Sequence, residues 1–519
     1  MVITQQRPMG GSGTVAVDRA GMRRFAVPAG IGVAVALVDC IGAGIPSYWG
    51  DEAASVMSGQ RSLPSLLQEL SAVDAVHGLY YMLLHVWMWA FGTAEWATRA
   101  LSAIAIGALA AGVMTLGSRW FDRRTGIIAG LLIAVIPRAG SLAIETRGYA
   151  ITAAAVVWLA VLFAHLLRSG ASRRRWMMFG LAAGVLAWFF LYLLLVPLAL
   201  CGLLLLFPRL ASPQMRRTDA AELRRLMAFA AGGALVGALP IITLAALQRN
   251  QVSFLAHRGY LSPKGVLITP WFSSLPVAVV LWALILIGAV AALRAAGQRT
   301  TALLALTWLV APALTLIAVD ALISPTYNPR YLAVSLGAVA LLAARGFTGI
   351  LGAVAKRRRG PVPVAGLLLT ALVLGVTVPQ YLHERTPYAK DGGADFRFAA
   401  EAIGQHAQAG DTVLFGEGPR PSRTARLTYR LYPQEFAGLR DPQLVTPYDQ
   451  RAGLWDRLAS VSTIAPQLHE NTVWLLESKG ASTASADLRA LRSNGYVLSS
   501  TRLVHRITIY EYTKGAHHE

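Results

Sequence analysis

Asp51 and Glu52 stand side by side directly after an apolar run, in Ser47-Tyr48-Trp49-Gly50-Asp51-Glu52. Two carboxylates at one point of a membrane–water boundary can orient two groups, and one of them can take the proton of an attacking hydroxyl. The competing reading is a solvated loop start, because acids at the ends of apolar runs cost less than acids at the bilayer midplane. A second stretch, Asp74-Ala75-Val76-His77-Gly78-Leu79-Tyr80-Tyr81, offers an acid, an imidazole and two phenols that can hydrogen-bond hydroxyls or phosphate. A structural His and an aromatic belt would use the same residues. A third, Glu145-Thr146-Arg147-Gly148-Tyr149, sets an acid, a base and a phenol at the end of an apolar run. Such groups are costly there unless paired or functional, and a local Glu145–Arg147 ion pair is the plain alternative. The fourth holds Tyr327, Arg330 and Tyr331 in a short polar turn. The Arg330 guanidinium can grip a phosphate through two parallel bonds, or merely snorkel to an interface. Arg258 and Lys264 are weaker phosphate candidates.

These residues need elements to hold them. The 519-residue chain is 55% hydrophobic and 14% charged, against roughly 25% charged in soluble domains, and its mean hydropathy is +0.50. Apolar runs fall near 25–47, 98–118, 125–143, 149–167, 177–190, 191–207, 227–247, 271–293, 302–323, 331–350 and 361–380. Each approaches the roughly 20 residues a spanning helix needs. The expectation is an α-helical polytopic membrane protein with about eleven spans. The formal charge of +20 does not point to nucleic acid, because the basic residues cluster in short tracts between apolar runs, as topology determinants and head-group contacts do. Cys40 and Cys201 both lie within apolar runs and offer neither a disulfide framework nor metal spacing.

One further run, 78–91, is short and aromatic. If it spans, the basic tracts fall on both sides of the membrane. If it lies along the outer interface, they all fall on one side, the cytoplasmic one. The second arrangement is adopted: N-terminus inside, the Asp51 loop outside, and the segment from Tyr381 outside. Residues 1–24 are expected to form a cytoplasmic N-terminus, disordered over the Gly-rich and polar Met1–Gly21, followed by an uncleaved first span. Residues 25–380 form the transmembrane part. Residues 381–519 have ordinary soluble composition and are expected to form a small extracytoplasmic α/β domain, with helices over 395–407 and 485–492 and strands over 412–415, 472–476 and 503–512.

The order of these motifs is familiar. The acidic pair after the first run, His77-x-x-Tyr80-Tyr81, Phe91-Gly92 with Glu95 and Arg99-x-x-Ser102, and Glu145-x-Arg147-x-Tyr149 resemble the GT-C superfamily of integral membrane glycosyltransferases. Within it they look most like the protein O-mannosyltransferase and aminoarabinose-transferase branch, nearest to actinobacterial polyprenyl-phosphate-mannose-dependent mannosyltransferases. The resemblance covers about residues 25–350, and the C-terminal segment also looks like the one those actinobacterial proteins carry. It departs where the family helix reads His-Pro-Pro-Leu and this chain reads His77-Gly78-Leu79. The resemblance implies a sugar carried on a polyprenyl phosphate, moved with inversion to a glycan, glycolipid or protein of the cell envelope, at the plasma membrane's outer face. It further implies Asp51 as general base, Glu52 holding the acceptor, His77, Tyr80 and Tyr81 lining the pocket, Glu145 and Arg147 facing Asp51, and Arg330 on the donor phosphate. Some members of the superfamily use a divalent metal, but no His, Cys or acid cluster here demands one. Transfer of arabinose or another sugar is an alternative. Two other classes compete: a lipid or sugar transporter or flippase, whose inverted repeats and midplane charges are not evident, and a structural assembly partner.

Overall fold

The computed structural model describes residues 19–170, 172–210, 220–357 and 362–515. Residues 1–18 of the expected N-terminal segment, and residues 211–219 and 358–361 of the basic tracts, lie outside them. Helix α1 (Arg19–Cys40) begins ahead of position 25. All eleven apolar runs become helical, but not all are spans. Among the described residues seven helices are long and apolar enough to cross a membrane, and an eighth is reached by counting α6 (Arg123–Ile133) with α7 (Pro137–Ala143), which bend by 55° at their break. Pro137 lacks an N–H and opens α7, so α6 cannot continue straight through it. Helix α9 (Arg173–Leu186) is 14 residues long, about 21 Å by helical rise, and falls short of a hydrocarbon core about 30 Å thick. The runs at 25–47 and 191–207 likewise fall in shorter apolar helices, so at most eight of the eleven expected spans meet the length and composition for crossing among the described residues.

The first loop is more structured than its composition foretold. The sequence reading left residues 48–77 without a helix. In the structure the Gly- and Ser-rich stretch after Trp49 forms α2 (Gly50–Gln60), followed by α3 (Leu63–Ala72), which starts on a Ser62 cap that accepts the Ser65 N–H at 3.4 Å. Helix α4 (Gly78–Phe91) covers the short aromatic run 78–91; it buries Tyr80, Tyr81 and Leu84 and exposes Val86, Trp89 and Phe91. Helices α5 (Glu95–Trp120) and α8 (Tyr149–Ser169) run through the main apolar core.

The C-terminal segment carries a four-stranded sheet in the order β1-β4-β6-β5. Its strands are β1 (Thr412–Phe415), β4 (Thr472–Ser478), β5 (Tyr496–Leu503) and β6 (Ile507–Lys514). A two-stranded ribbon pairs β2 (Leu444–Thr446) with β3 (Arg457–Leu458). The single last strand expected over 503–512 is instead a hairpin turning at Val504–Arg506, with Val504 N–H donating to Ile507 O at 3.0 Å. The segment shares a core with the first loop: Tyr48, Val56, Met57 and Tyr81 belong to the same cluster as Phe396, Ile403, Phe415 and Trp474. Polar ties reinforce it. Tyr432 donates to Glu95 at 2.6 Å, and Arg61 donates to Gly453 O at 2.6 Å. A Cβ on Gly50 would meet Ser422 O at 2.0 Å, so the turn Pro421–Arg423 rests directly on the start of α2.

One titration belongs to this packing. Burial pushes the Glu477 carboxyl up to about 9, and the neighbouring Asp487 pushes the same way. The folded chain therefore holds a proton that the unfolded chain loses near the ordinary Glu range, and stability falls as pH rises from there toward 9. Glu477→Gln is expected to raise the melting temperature at pH 8 and leave it unchanged near pH 4. Equal shifts at both pH values would contradict this.

Candidate active site at the first loop

The site is built where α2, the loop before α8 and the short helix Pro329–Ser335 meet. Asp51 lies in the first turn of α2, where the helix N-terminus favours a carboxylate. Its Oδ2 accepts from Arg330 Nη1 at 3.0 Å, and the two side chains are 34% and 32% exposed. Its Oδ1 accepts no hydrogen bond among the described residues. The Arg330 guanidinium lies 4.5 Å from the Trp49 ring centroid, which fixes its plane. Glu145 and Asp51 are the carboxylates that bear most on the Arg330 charge. Glu145 is 5% exposed, and its Oε1 has no hydrogen-bond partner among the described residues, so no Glu145–Arg147 ion pair forms.

Arg147 is buried and turned toward the first loop. Nη1 donates to the Asp51 carbonyl at 3.3 Å, to Ser55 Oγ at 3.3 Å and to Tyr81 OH at 3.2 Å; Nη2 meets His77 Nε2 at 3.1 Å. An Arg has no acceptor, so His77 Nε2 must be unprotonated. Burial, and then the Arg147 charge, hold the His77 imidazole well below its ordinary range. Tyr81 passes the chain on to Asp74 Oδ2 at 2.8 Å. Asp74 sits in the left-handed region at φ 55°, a turn secured by Gln251 and Gln248, which accept the N–H groups of Asp74 and Ala75 at 3.1 and 3.0 Å. An aromatic wall closes this side: His77 stacks on Phe190 at 6.0 Å, Tyr149 meets Phe190 edge-on at 5.1 Å, and Tyr331 stacks on Tyr192 at 4.8 Å.

Glu52 is placed differently from its expected role. It is wholly buried, held by Arg99 Nε and Nη2 at 2.8 and 2.7 Å, and accepts the Thr146 N–H at 2.8 Å. Burial pushes its carboxyl up, but the Arg99 guanidinium outweighs this and holds it below the usual range. Arg99 also donates to the carbonyls of Ala43, Pro46 and Ser47 at 2.7, 2.7 and 3.3 Å. Both oxygens of Glu52 are taken up in positioning, and it has no face left for an acceptor. Tyr80 is fully buried in the loop core, packed beside Gly148, and Tyr327 ties its OH to Gly265 O at 2.9 Å. Arg258 is exposed, and its charge bears on Arg420. Lys264 is exposed in a short helix, with no side-chain bond to the site among the described residues.

Three cations escaped the sequence reading. Arg138, inside the bent pair, donates to Pro270 O and Thr269 O at 2.8 and 2.6 Å, and Glu145 bears on its charge. A lone Arg within an apolar run was the signal for it. Lys390 lies near Glu52 and Glu145, and desolvation holds its ammonium below its ordinary range against their pull. Arg420, whose charge is coupled to Asp51, is held on Asp391 at 3.2 Å beside Arg423 at 2.6 Å. Neither Lys390 nor Arg420 had a local signal. No group of three or more His, Cys, Asp and Glu side chains suited to a metal ion occurs among the described residues.

A polytopic helical body with an ordered first loop is met by a docked C-terminal segment, and this fold recurs in solved structures. The chain shares it with ArnT from Cupriavidus metallidurans, solved bound to undecaprenyl phosphate: TM-score 0.58 and 16% identity over 95% of this chain and 98% of that chain. The apo state of ArnT gives TM-score 0.56 and 16% identity over 92% and 97%. The Archaeoglobus fulgidus oligosaccharyltransferase, in complex with Zn and sulfate, gives TM-score 0.47 and 12% identity over 93% and 73%. No protein-family model and no curated protein matches the sequence.

Proposed function

We propose that the chain is a membrane glycosyltransferase that moves a sugar from a polyprenyl-phosphate carrier to a cell-envelope acceptor. The observation that carries this is the one-third-exposed Asp51 carboxylate, paired through one oxygen to Arg330 and open at the other. A phosphate that takes Arg330 releases Asp51 from its partner and leaves it free to accept the acceptor hydroxyl's proton. The hydroxyl oxygen then attacks the anomeric carbon, the bond to the phosphate oxygen breaks, and the departing phosphate is stabilised by the cations around it. The fold of ArnT, solved with undecaprenyl phosphate bound, supports a lipid carrier. Mannose as the sugar, the plasma membrane as the location and the outward-facing site rest on the motif resemblance and on the basic tracts.

The test reads the donor. Arg330→Ala is expected to raise the donor KM about tenfold or more while lowering kcat less, since a lost charge-assisted bond is worth about 1.5–3 kcal/mol. An unchanged donor KM would remove the phosphate role.

A further inference from the structure

The C-terminal segment encloses a cavity of about 430 Å³, lined by Gly416, Arg426, Arg430, Trp455, Thr483 and Asp487, with Met57 of α2 in its wall. Gly416 directly follows β1, and Thr483 lies just beyond β4. These are adjacent parallel strands, and the crevice at the carboxyl ends of such strands is where open α/β sheets take ligands. The lining carries unspent polar capacity. Arg426 is 3% exposed and charge-paired with Asp441 and Asp456 at 2.6 and 2.7 Å, yet its Nη2 has no hydrogen-bond partner among the described residues. Thr483 and the Glu477 carboxyl lie beside the cavity, both turned toward Asp487. The Glu477 carboxyl lies so close behind Gly416 that a Cβ there would meet it at 2.0 Å. Buried polar groups are nearly always satisfied, so a buried guanidinium nitrogen left open in a cavity wall points to an occupant.

The chemistry selects its class. The lining cations Arg426, Arg430 and Arg451 are matched by the lining acids Glu417, Asp456 and Asp487, so neither a phosphate nor an ammonium is favoured. The lining holds both donors and acceptors, and the half-buried Trp455 supplies an apolar ring face. That pattern suits a neutral polyhydroxylated ring. The cavity adjoins the first loop: Met57 of α2 lines it with Pro421 and Thr424, and the turn those two flank rests on Gly50 at the start of α2. We propose that this cavity is a second, saccharide-binding site, taking a neutral hexose unit of the acceptor beside the helix that carries Asp51. The acceptor role rests on the transferase reading; the binding itself does not.

The test is titration of the purified full chain with neutral hexose di- to tetrasaccharides, read by saturation-transfer NMR. Saturable binding is expected in the wild type and unchanged in Asp51→Asn. Trp455→Ala and Thr483→Val should weaken it, the former about tenfold, with melting temperatures kept. If Trp455→Ala fails to fold, Thr483→Val decides. No saturable binding by the wild type, equal affinity in the folded variants, or tighter binding of inorganic phosphate than of any saccharide would overturn the site. Because binding is read without transfer, an inactive protein that binds saccharide would count against the transferase reading alone.

Discussion

Asp51→Asn is expected to lower sugar transfer by about 10²–10⁴-fold, the usual contribution of a positioned general base. The amide keeps the size of the side chain and can still accept from Arg330, but it cannot take a proton at neutral pH. Asp51 is one-third exposed and outside the buried core, so the melting temperature should not move. Donor binding should stay close to that of the wild type or tighten, because Arg330 is no longer held by a carboxylate. Transfer at the wild-type rate, measured with a saturating lipid-linked donor, would end the assignment of Asp51 as base. The readout separates chemistry from folding because the neighbouring acid has the opposite character.

That neighbour gives the second large effect. Arg99→Met would leave Glu52 as an unpaired carboxylate with no exposure, and breaking one side of a buried pair costs about 3–5 kcal/mol. It would also strip donors from the carbonyls of Ala43, Pro46 and Ser47. A much lower melting temperature in detergent is expected, with transfer lost alongside the fold. The double variant Arg99→Met with Glu52→Leu removes the stranded charge but not the three orphaned carbonyls, so it should recover only part of the loss. Full recovery would show that the carbonyl contacts contribute nothing; a single variant as stable as the wild type would contradict the structural role of the pair.

The contrast between Asp51 and Glu52 shows what sequence can and cannot convey. Both acids were legible as a pair because polar residues are conspicuous at the end of an apolar run. Their separate fates were not, because α2 is made of Gly, Ala and Ser with little apolar periodicity, and its helix was not expected. Adjacent residues on a helix are turned about 100° apart, so one acid faces Arg330 and the other faces Arg99. Arg330 was found because it is a lone cation in a short turn. Arg147 was singled out as facing Asp51, with a local Glu145 pair as the plain alternative; its contacts to His77 and Tyr81, far off in the chain, had no local signal. Lys390 and Arg420 come from the C-terminal segment, and only the shared core of that segment with the first loop brings them near. Apolar runs located every helix of the membrane body, but run length alone did not reveal the bend at Pro137 or the shortness of α9.

The central claim is sugar transfer from a polyprenyl phosphate at Asp51. The most direct measurement is a single-turnover assay on the purified chain in nanodiscs, offering polyprenyl-phosphate-linked mannose, arabinose and glucose with a panel of envelope glycans, glycolipids and proteins, beside Asp51→Asn. The account predicts that at least one labelled sugar passes to an acceptor, that polyprenyl phosphate is released in equal amount, and that both products vanish in the variant. Labelled sugar left on its carrier for every donor and acceptor, in a folded protein that binds the lipid, would contradict it.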